Sequence, residues 1–251
     1  FALKGGTAIN FFVRDLPRLS VDIDLAFLPL FNRAEAMESI HLGLESISEK
    51  VKKKILKAKT DSKRLQGTEQ NIGIIVRVEG ITVKIEPNIV IRGSIYPPET
   101  RRLVKRAENL FEMSVAIRTL SKAELYAGKM CAALDRQHPR DLFDIYLFLK
   151  HDEIDDATRK AFIVYLISHP RPMVELLSPT RLDIRKTFEN EFKGMSAIDI
   201  TYGDIETARE QLIALISDTL TEPDREFLIS FKEKTPKWDL LDLGGVENLP
   251  A

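Results

Sequence analysis

The segment Ser20-Val21-Asp22-Ile23-Asp24-Leu25 places two aspartates, two residues apart, in an otherwise apolar run. The run from Val21 to Leu28 is typical of a β-strand, and residues two apart on a strand point to the same face. Two carboxylates buried side by side repel each other and lose hydration, which is costly unless a cation compensates. The pattern therefore predicts a divalent metal at Asp22 and Asp24, and Mg²⁺ or Mn²⁺ suits carboxylates shared with phosphate oxygens.

A glycine pair lies shortly before these aspartates, in Lys4-Gly5-Gly6-Thr7-Ala8. Glycine lets backbone N–H groups approach a phosphate closely, and Thr7 adds a hydroxyl. Together with the aspartates, Gly5, Gly6 and Thr7 predict a site that binds triphosphate at one end and metal at the other. The alternative is an ordinary turn followed by a strand end whose aspartates face solvent.

A third carboxylate occurs in Ile81-Thr82-Val83-Lys84-Ile85-Glu86, just before Pro87. Strand alternation places Thr82, Lys84 and Glu86 on one face. In a two-metal phosphoryl transfer, Glu86 could bind the metal that activates the attacking hydroxyl and accept its proton. The alternative is a surface glutamate that pairs with Lys84 or Arg77.

The chain changes character near Pro97-Pro98. Before it, the patterns predict a short helix over 7–13 with Thr7 as its cap, a helix over 34–59 and antiparallel strands over 72–79 and 81–92. Beyond it, helices are predicted over 121–136, 139–150, 155–168, 181–192, 204–217 and 222–233, with a loose tail from Leu243. Ser121 and Glu124 form a capping-box pattern, and Pro139 suits the first turn of the helix that it begins. The predicted fold class is α+β: a small mixed-sheet domain over 1–105 and a helical domain over 106–251.

The bulk composition is that of a globular protein: 251 residues, 44% hydrophobic and 30% charged, with a formal net charge of -1. Any nucleic-acid contact therefore needs a local basic patch. A single cysteine, Cys131, and no visible signal peptide predict a reducing, cytoplasmic location. The chain begins at Phe1 rather than Met, so what precedes Phe1 stays open.

Four motifs, in this order, resemble those of the AbiEii/AbiGii toxin family, within the DNA polymerase β-like nucleotidyltransferases. They are Gly5-Gly6-Thr7-Ala8, Arg18-x-Ser20-x-Asp22-Ile23-Asp24-Leu25, Tyr126-x-Gly128-Lys129-x-x-Ala132 and Arg140-Asp141-Leu142-x-Asp144. One departure is that the helix which usually precedes the glycine motif is absent or truncated here.

The resemblance implies an enzyme that transfers a nucleotide from an NTP to an acceptor, with release of pyrophosphate. It implies RNA, such as tRNA, as the acceptor, and a toxin that is paired with an antitoxin. Carried over, Gly6 and Ser20 line the phosphates, Asp22 and Asp24 bind the metal, and Lys129 contacts the triphosphate. Asp144 is the further essential acid, so the helical domain is expected to contribute Lys129 and Asp144 to the site.

Lys129 and Asp144 also have a physical interpretation of their own. Lys129 lies in a helix of small residues that lets another element approach, and Asp144 lies in an apolar run where it needs a cation. Lys129 and Arg140 are the candidate cations, and Asp144 is expected to orient Lys129 towards the triphosphate. The alternative is a structural ion pair between two helices.

Two basic stretches are candidates for binding an RNA backbone. The first includes Lys52, Lys53 and Lys54, at the end of the long predicted helix, and the second includes Arg101 and Arg102. The alternative for the lysines is a solvated helix end. Rival functions are transfer to a small molecule or protein, a non-catalytic NTP-binding module and a metal-dependent nuclease.

Overall fold

The computed structural model describes residues 1–250 and divides into two compact units. Unit 1 comprises residues 1–15, 20–120 and those from Leu249 on; unit 2 comprises Leu16–Leu19 and Ser121–Asn248. Unit 1 contains the sheet and unit 2 is helical, so the predicted fold class is confirmed. The predicted boundary at residue 105 falls inside unit 1, because the chain returns to the sheet before Ser121.

Within residues 1–250, unit 1 is built on a seven-stranded mixed sheet with the strand order β3-β4-β5-β2-β1-β7-β6. Strand β2 pairs antiparallel with β1 and parallel with β5, which places it near the centre. The strands are β1 (Ala2–Lys4), β2 (Ile23–Ala26), β3 (Lys59–Arg64), β4 (Asn71–Val78), β5 (Ile81–Asn88), β6 (Glu99–Arg102) and β7 (Ala116–Thr119).

The predicted antiparallel pair around Gly80 is confirmed as the hairpin of β4 and β5. Glu79 and Gly80 have positive φ angles, 48° and 86°. A two-residue hairpin turn of type I′ requires positive φ at both of its central residues. Strand β5 ends four residues before the predicted Arg92, because the Asn88 side chain accepts hydrogen bonds from the N–H groups of Val90 and Ile91 and turns the chain.

The long helix α2 (Arg33–Lys54) covers one face of this hairpin. Asn32 caps it by accepting a hydrogen bond from the Glu35 N–H at 3.0 Å, and Ile40 and Leu44 are fully buried. The Ser48 hydroxyl lies 2.6 Å from that of Thr60 on β3. The prediction that the helix continues to Lys59 is wrong, because the chain becomes extended at Ile55 and Lys59 begins β3.

Helix α1 (Gly5–Phe12) begins two residues earlier than predicted, and its N-cap is Lys4. The predicted capping role of Thr7 is wrong, since its hydroxyl bonds to residues after the helix instead. Strands β1, β3, β6 and β7 and helix α3 (Lys105–Phe111) were not predicted. They are short or highly charged, and the sheet stabilises them through pairing rather than through an apolar pattern of their own.

Unit 2 contains the helices that follow Leu120. They are α4 (Lys122–Arg136), α5 (Pro139–His151), α6 (Asp156–Ile167), α7 (Met173–Leu177), α8 (Arg185–Glu191), α9 (Tyr202–Thr219) and α10 (Glu222–Lys232), with short 3₁₀ turns at Trp238–Leu241 and Val246–Asn248. Ser121 caps α4 by accepting from the Glu124 N–H, and Pro139 opens α5, both as predicted. The predicted helix over 181–192 begins only at Arg185, and α7 was missed.

The small residues of α4 allow close packing against α6, as expected. A Cβ added to Gly128 would lie 3.1 Å from Cε1 of Tyr165, whose side chain is almost fully buried. Among the helices of residues 1–250, none is long and apolar enough to cross a membrane.

Replacing Gly128 with leucine should lower the free energy of unfolding by about 1–3 kcal/mol, because the added side chain must displace the buried ring of Tyr165. The matched control is Gly203→Ala in α9, where an added Cβ meets only the Thr201 hydroxyl at 3.7 Å. That control should be neutral or stabilising by at most about 1 kcal/mol. Urea denaturation of both variants measures the effect, and equal stability of the two would contradict the packing argument.

Candidate active site

Asp24 is the second residue of β2, and Asp22 immediately precedes this strand. Both aspartates are half-buried rather than buried. The prediction of a carboxylate pair on a buried strand is therefore wrong in that respect, because β2 begins only at Ile23 and its buried part starts at Leu25. Both residues therefore remain partly accessible to solvent.

The first turn of α1 lies directly against Asp24. A Cβ added to Gly5 would fall 2.2 Å from Oδ2 of Asp24, and Gly5 has a φ of +70°. Both the backbone conformation and the space therefore require glycine. The N–H groups in the first turn of a helix have no partner within that helix, so this end of α1 is suited to an anion.

Thr7 joins the remaining parts of this site. Its hydroxyl lies 3.0 Å from the Ser20 hydroxyl and donates a hydrogen bond of 2.5 Å to the backbone carbonyl of Asp22. The Gly6 carbonyl accepts a hydrogen bond from the Asn10 side chain inside α1. The structure therefore brings together the glycine, hydroxyl and aspartate residues that the sequence singled out: Gly5, Gly6, Thr7, Ser20, Asp22 and Asp24.

Glu86 lies beside Asp24 on the neighbouring strand, since the two are paired in the parallel register of β2 and β5. Its carboxylate Oε1 accepts from Nζ of Lys63 at 2.8 Å, across Gly73. Among residues 1–250, no three acidic, histidine or cysteine side chains are grouped so as to hold a metal ion. The ion pair of Glu86 is thus with Lys63 and not with Lys84 or Arg77, the two cations considered from the sequence.

The donors around Asp24 nevertheless suit a divalent cation that is shared with a substrate. Magnesium in nucleotide sites typically takes one or two protein carboxylates and completes its oxygen ligands with phosphates and water. Asp22 and Asp24 could supply the carboxylates, and the adjacent end of α1 could supply N–H groups for phosphate. A complete protein cage is not needed for that arrangement.

Lys129 and Asp144 belong to unit 2, where they form part of a buried ion-pair network. Nζ of Lys129 donates to Oδ1 of Asp141 at 2.7 Å and lies 3.1 Å from Oδ2 of Asp144. The three side chains expose 6% of their surface or less. Of the two acids, Asp141 is thus the nearer to Lys129, although the sequence suggested no role for it. Asp141 also accepts two hydrogen bonds from Arg136.

Arg18 is the second cation of Asp144. Its Nε and Nη2 donate to the two carboxylate oxygens of Asp144 at 2.7 and 2.6 Å, and both side chains are buried. Of the two candidate cations, Lys129 contacts Asp144, whereas Arg140 forms no ion pair with it among residues 1–250. Arg18 belongs to one of the matched motifs, but nothing in its spacing predicts a partner 126 residues away.

The charged groups of this network shift one another's pKa values in favour of the ionised forms. Burial alone would raise the pKa of Asp144, but Arg18 and Lys129 outweigh it and hold that pKa below its usual value. Burial acts in the same direction on Asp141, where Lys129 and Arg136 depress the pKa strongly. For Lys129, burial would lower the pKa, yet Asp141 and Asp144 raise it. All three groups therefore stay ionised at neutral pH.

The two predicted RNA-binding stretches are on the surface of unit 1. Lys52, Lys53 and Lys54 are exposed in the last turn of α2, where cations also complement the helix dipole. Arg101 and Arg102 lie on β6, and Nη2 of Arg101 is 2.5 Å from a carboxylate oxygen of Glu99.

Replacing Asp141 with asparagine should lower the free energy of unfolding by about 3–5 kcal/mol at pH 7, because it leaves a buried cation short of a partner. The control is Glu189→Gln, which loses an exposed ion pair with Lys193 and should cost at most about 1 kcal/mol. Since the folded pKa of Asp141 is lowered, its contribution is present above the unfolded pKa of about 4 and is lost below it. Urea denaturation should therefore show the gap to wild type narrowing as the pH falls below about 4, and a constant gap would contradict this account.

Comparisons with known proteins agree with these features. A family model described as nucleotidyl transferase AbiEii toxin, type IV TA system, matches residues 1–242. A solved structure of MenT4, a nucleotidyltransferase toxin from Mycobacterium tuberculosis H37Rv, is similar with a TM-score of 0.66 at 17% identity, over 96% of this chain and 83% of that one. A search of curated protein sequences gives no match. Because the family model spans nearly the whole chain, the chain belongs to the AbiEii nucleotidyltransferase toxins of type IV toxin–antitoxin systems.

Proposed function

We propose that this nucleotidyltransferase uses Asp22 and Asp24 to bind a divalent cation, Mg²⁺ or Mn²⁺, and transfers a nucleotide from an NTP to RNA, with tRNA as the expected acceptor. The observation that carries the proposal is the contact at Gly5. The start of α1 lies against the Asp24 carboxylate at Gly5, where an added Cβ would collide with Oδ2 of Asp24. The N–H groups that we propose bind the triphosphate are therefore adjacent to a carboxylate that we propose binds the metal, both within unit 1.

The proposed reaction is an in-line displacement at the α-phosphorus. The acceptor hydroxyl oxygen forms the new P–O bond, the bond to the β-phosphate oxygen breaks, and pyrophosphate leaves. Glu86, next to Asp24 in the sheet, is the proposed acceptor of the hydroxyl proton and third metal ligand. A cation bound at the aspartates supplies neutralisation of the charge that develops on the phosphate oxygens. Gly6, Thr7 and Ser20 are the proposed phosphate contacts beside Gly5.

Lys129 and Asp144 are proposed catalytic residues on the strength of the family motifs. Their mutual distance of 3.1 Å fits the hypothesis that Asp144 positions Lys129, but Asp141 holds the same ammonium at 2.7 Å. The network is equally compatible with a structural role. The variant Asp144→Asn separates the two roles, because full transferase activity in a folded protein would contradict the catalytic one.

A toxin of this kind has an NTP as its substrate and an antitoxin as its counterpart. We further propose that it acts in the cytoplasm, where both NTPs and tRNA are available, in keeping with the single buried cysteine, Cys131.

Incubation of the protein with total RNA and each labelled NTP should transfer label to RNA and release pyrophosphate. Asp22→Asn and Asp24→Asn should each lower the rate by at least about 100-fold, because the transition-state charge loses its counter-ion. Asp218→Asn, an exposed carboxylate on α9, is the matched control and should be fully active. Label in a small molecule or protein would point to a different acceptor. NTP binding without pyrophosphate release would indicate a binding module, and shortened RNA would indicate a nuclease.

The Gly5 contact gives a second prediction. Gly5→Ala should lower the transfer rate by at least about 10-fold more than Gly80→Ala, although both glycines have positive φ. Each alanine costs about 1–2 kcal/mol of backbone strain, but only the one at position 5 displaces a carboxylate, since an added Cβ at Gly80 meets no atom within 4 Å. Initial rates at matched stability, checked by thermal unfolding, make the comparison. Equal rates for the two variants would show that the Gly5 contact is unimportant for activity.

A further inference from the structure

The open face of the strands β3, β4 and β5 carries a group of exposed cations, of which Lys63 contacts the site described above through Glu86. Directly paired residues on neighbouring strands point to the same side of a sheet. The register therefore places three rows on one face. They are Lys63, Gly73, Glu86 and Asp24; then Asp61, Ile75 and Lys84; then Lys59, Arg77 and Thr82.

Side-chain contacts confirm this assignment of faces. Lys63 reaches Glu86 past Gly73, and Arg77 forms an ion pair with Asp61. The alternate residues face the other way, where Ile74 and Ile85 are buried and Thr60 meets Ser48 of α2. One side of these strands is thus covered by α2, and the cationic side is exposed.

We call Lys59, Lys63, Arg77 and Lys84 the basic face. All four are exposed, and three acids lie on the same rows: Asp24, Asp61 and Glu86. Asp61 pairs with Arg77 and Glu86 pairs with Lys63. Among the described residues, Lys59 and Lys84 are the two cations of these rows that form no ion pair with an acid, so their charge remains available in a chain whose formal net charge is -1. Such a surface attracts a polyanion independently of the charge of the rest of the molecule.

The basic face also begins at the reacting groups. Its first row contains Asp24 and Glu86, and its third row, at Thr82, is four residues further along β5. At about 3.3 Å per residue, the rows extend roughly 13 Å, which is the length of about four stacked nucleotides. None of the exposed residues on these rows is aromatic, so the surface is suited to phosphates rather than to stacked bases.

We propose that the basic face binds the phosphate backbone of the RNA acceptor and leads its reacting end to Asp24 and Glu86. This inference rests on the proposed transfer to RNA. It differs from the two stretches suggested by the sequence, because Lys52–Lys54 lie at a helix end and Arg101 is held by Glu99. Contacts of this kind position the acceptor without reading its sequence.

The test is the affinity for RNA, measured without turnover in the Asp22→Asn protein. In that background Lys59→Gln with Lys84→Gln should raise the Kd for RNA by at least about 10-fold. It should also lower the slope of log K against log salt by about 1.4, the value for two phosphate contacts on a single strand. Among residues 1–250 these two lysines form no ion pair with an acid, so their replacement leaves no carboxylate unpaired.

Three controls accompany this measurement. Lys59→Arg with Lys84→Arg should keep the wild-type Kd, because the charge is retained. Lys52→Gln with Lys53→Gln removes the same charge from the end of α2 and should change the Kd less than 3-fold. Asp61→Asn, which removes an acid from the basic face, should tighten RNA binding. Affinity for a non-hydrolysable NTP should be unchanged in all of them.

Failure of this inference and failure of the proposed function give different results. If the Lys59→Gln, Lys84→Gln protein binds RNA as tightly as its parent, or if the Lys52→Gln, Lys53→Gln protein loses the affinity instead, the basic face is not the RNA surface. Neither result affects label transfer to RNA by the wild-type protein. If the wild-type protein labels a different acceptor and no RNA, the proposed acceptor is wrong, whatever the Kd values are.

Discussion

The contact between the first residue of α1 and the Asp24 carboxylate is the constraint on which the proposed site depends. Gly5 has a left-handed φ and no room for a Cβ, so one residue sets both the start of the helix and its distance from the acid. Thr7 then holds Ser20 and the backbone of Asp22 to the same helix. The proposed phosphate donors and the proposed metal ligands are thereby held relative to one another before any substrate binds, which is the preorganisation that phosphoryl transfer requires.

The second organising feature is the ion-pair network of unit 2. Residues 16–19 belong to that unit although unit 1 residues precede and follow them in the chain, and Arg18 explains why. Its bidentate pair with Asp144, and the backbone bridge it forms with Ser196, attach this short segment to the helices. Lys129, Asp141 and Arg136 complete a cluster in which each buried charge has an opposite charge within hydrogen-bonding distance. Removal of one partner from such a cluster leaves a buried charge uncompensated, which is strongly destabilising.

The structural features that depend on neighbouring residues could be predicted from the sequence. The features that were not predicted share a physical cause. The hairpin at Gly80, the cap at Ser121 and the start of α5 at Pro139 depend on residues within a few positions of each other. The pairing of Arg18 with Asp144, the role of Asp141 and the Glu86–Lys63 pair depend on contacts distant in sequence, which periodicity does not encode. The strands β3 and β6 were missed because their charged residues lack an apolar face and are held by their neighbours. The grouping of residues in the basic face depends on the strand register, which the spacing of residues along the chain does not encode.

The central claim is that the aspartates and the start of α1 together bind a metal–triphosphate. Calorimetric titration of a non-hydrolysable NTP into the wild-type protein and Asp24→Asn, each with Mg²⁺ and with a chelator, tests it most directly. The account predicts that the wild-type protein binds the nucleotide only with the cation, and that Asp24→Asn weakens this binding by at least about 10-fold. Equal affinity with and without the cation, or in the two proteins, would contradict it.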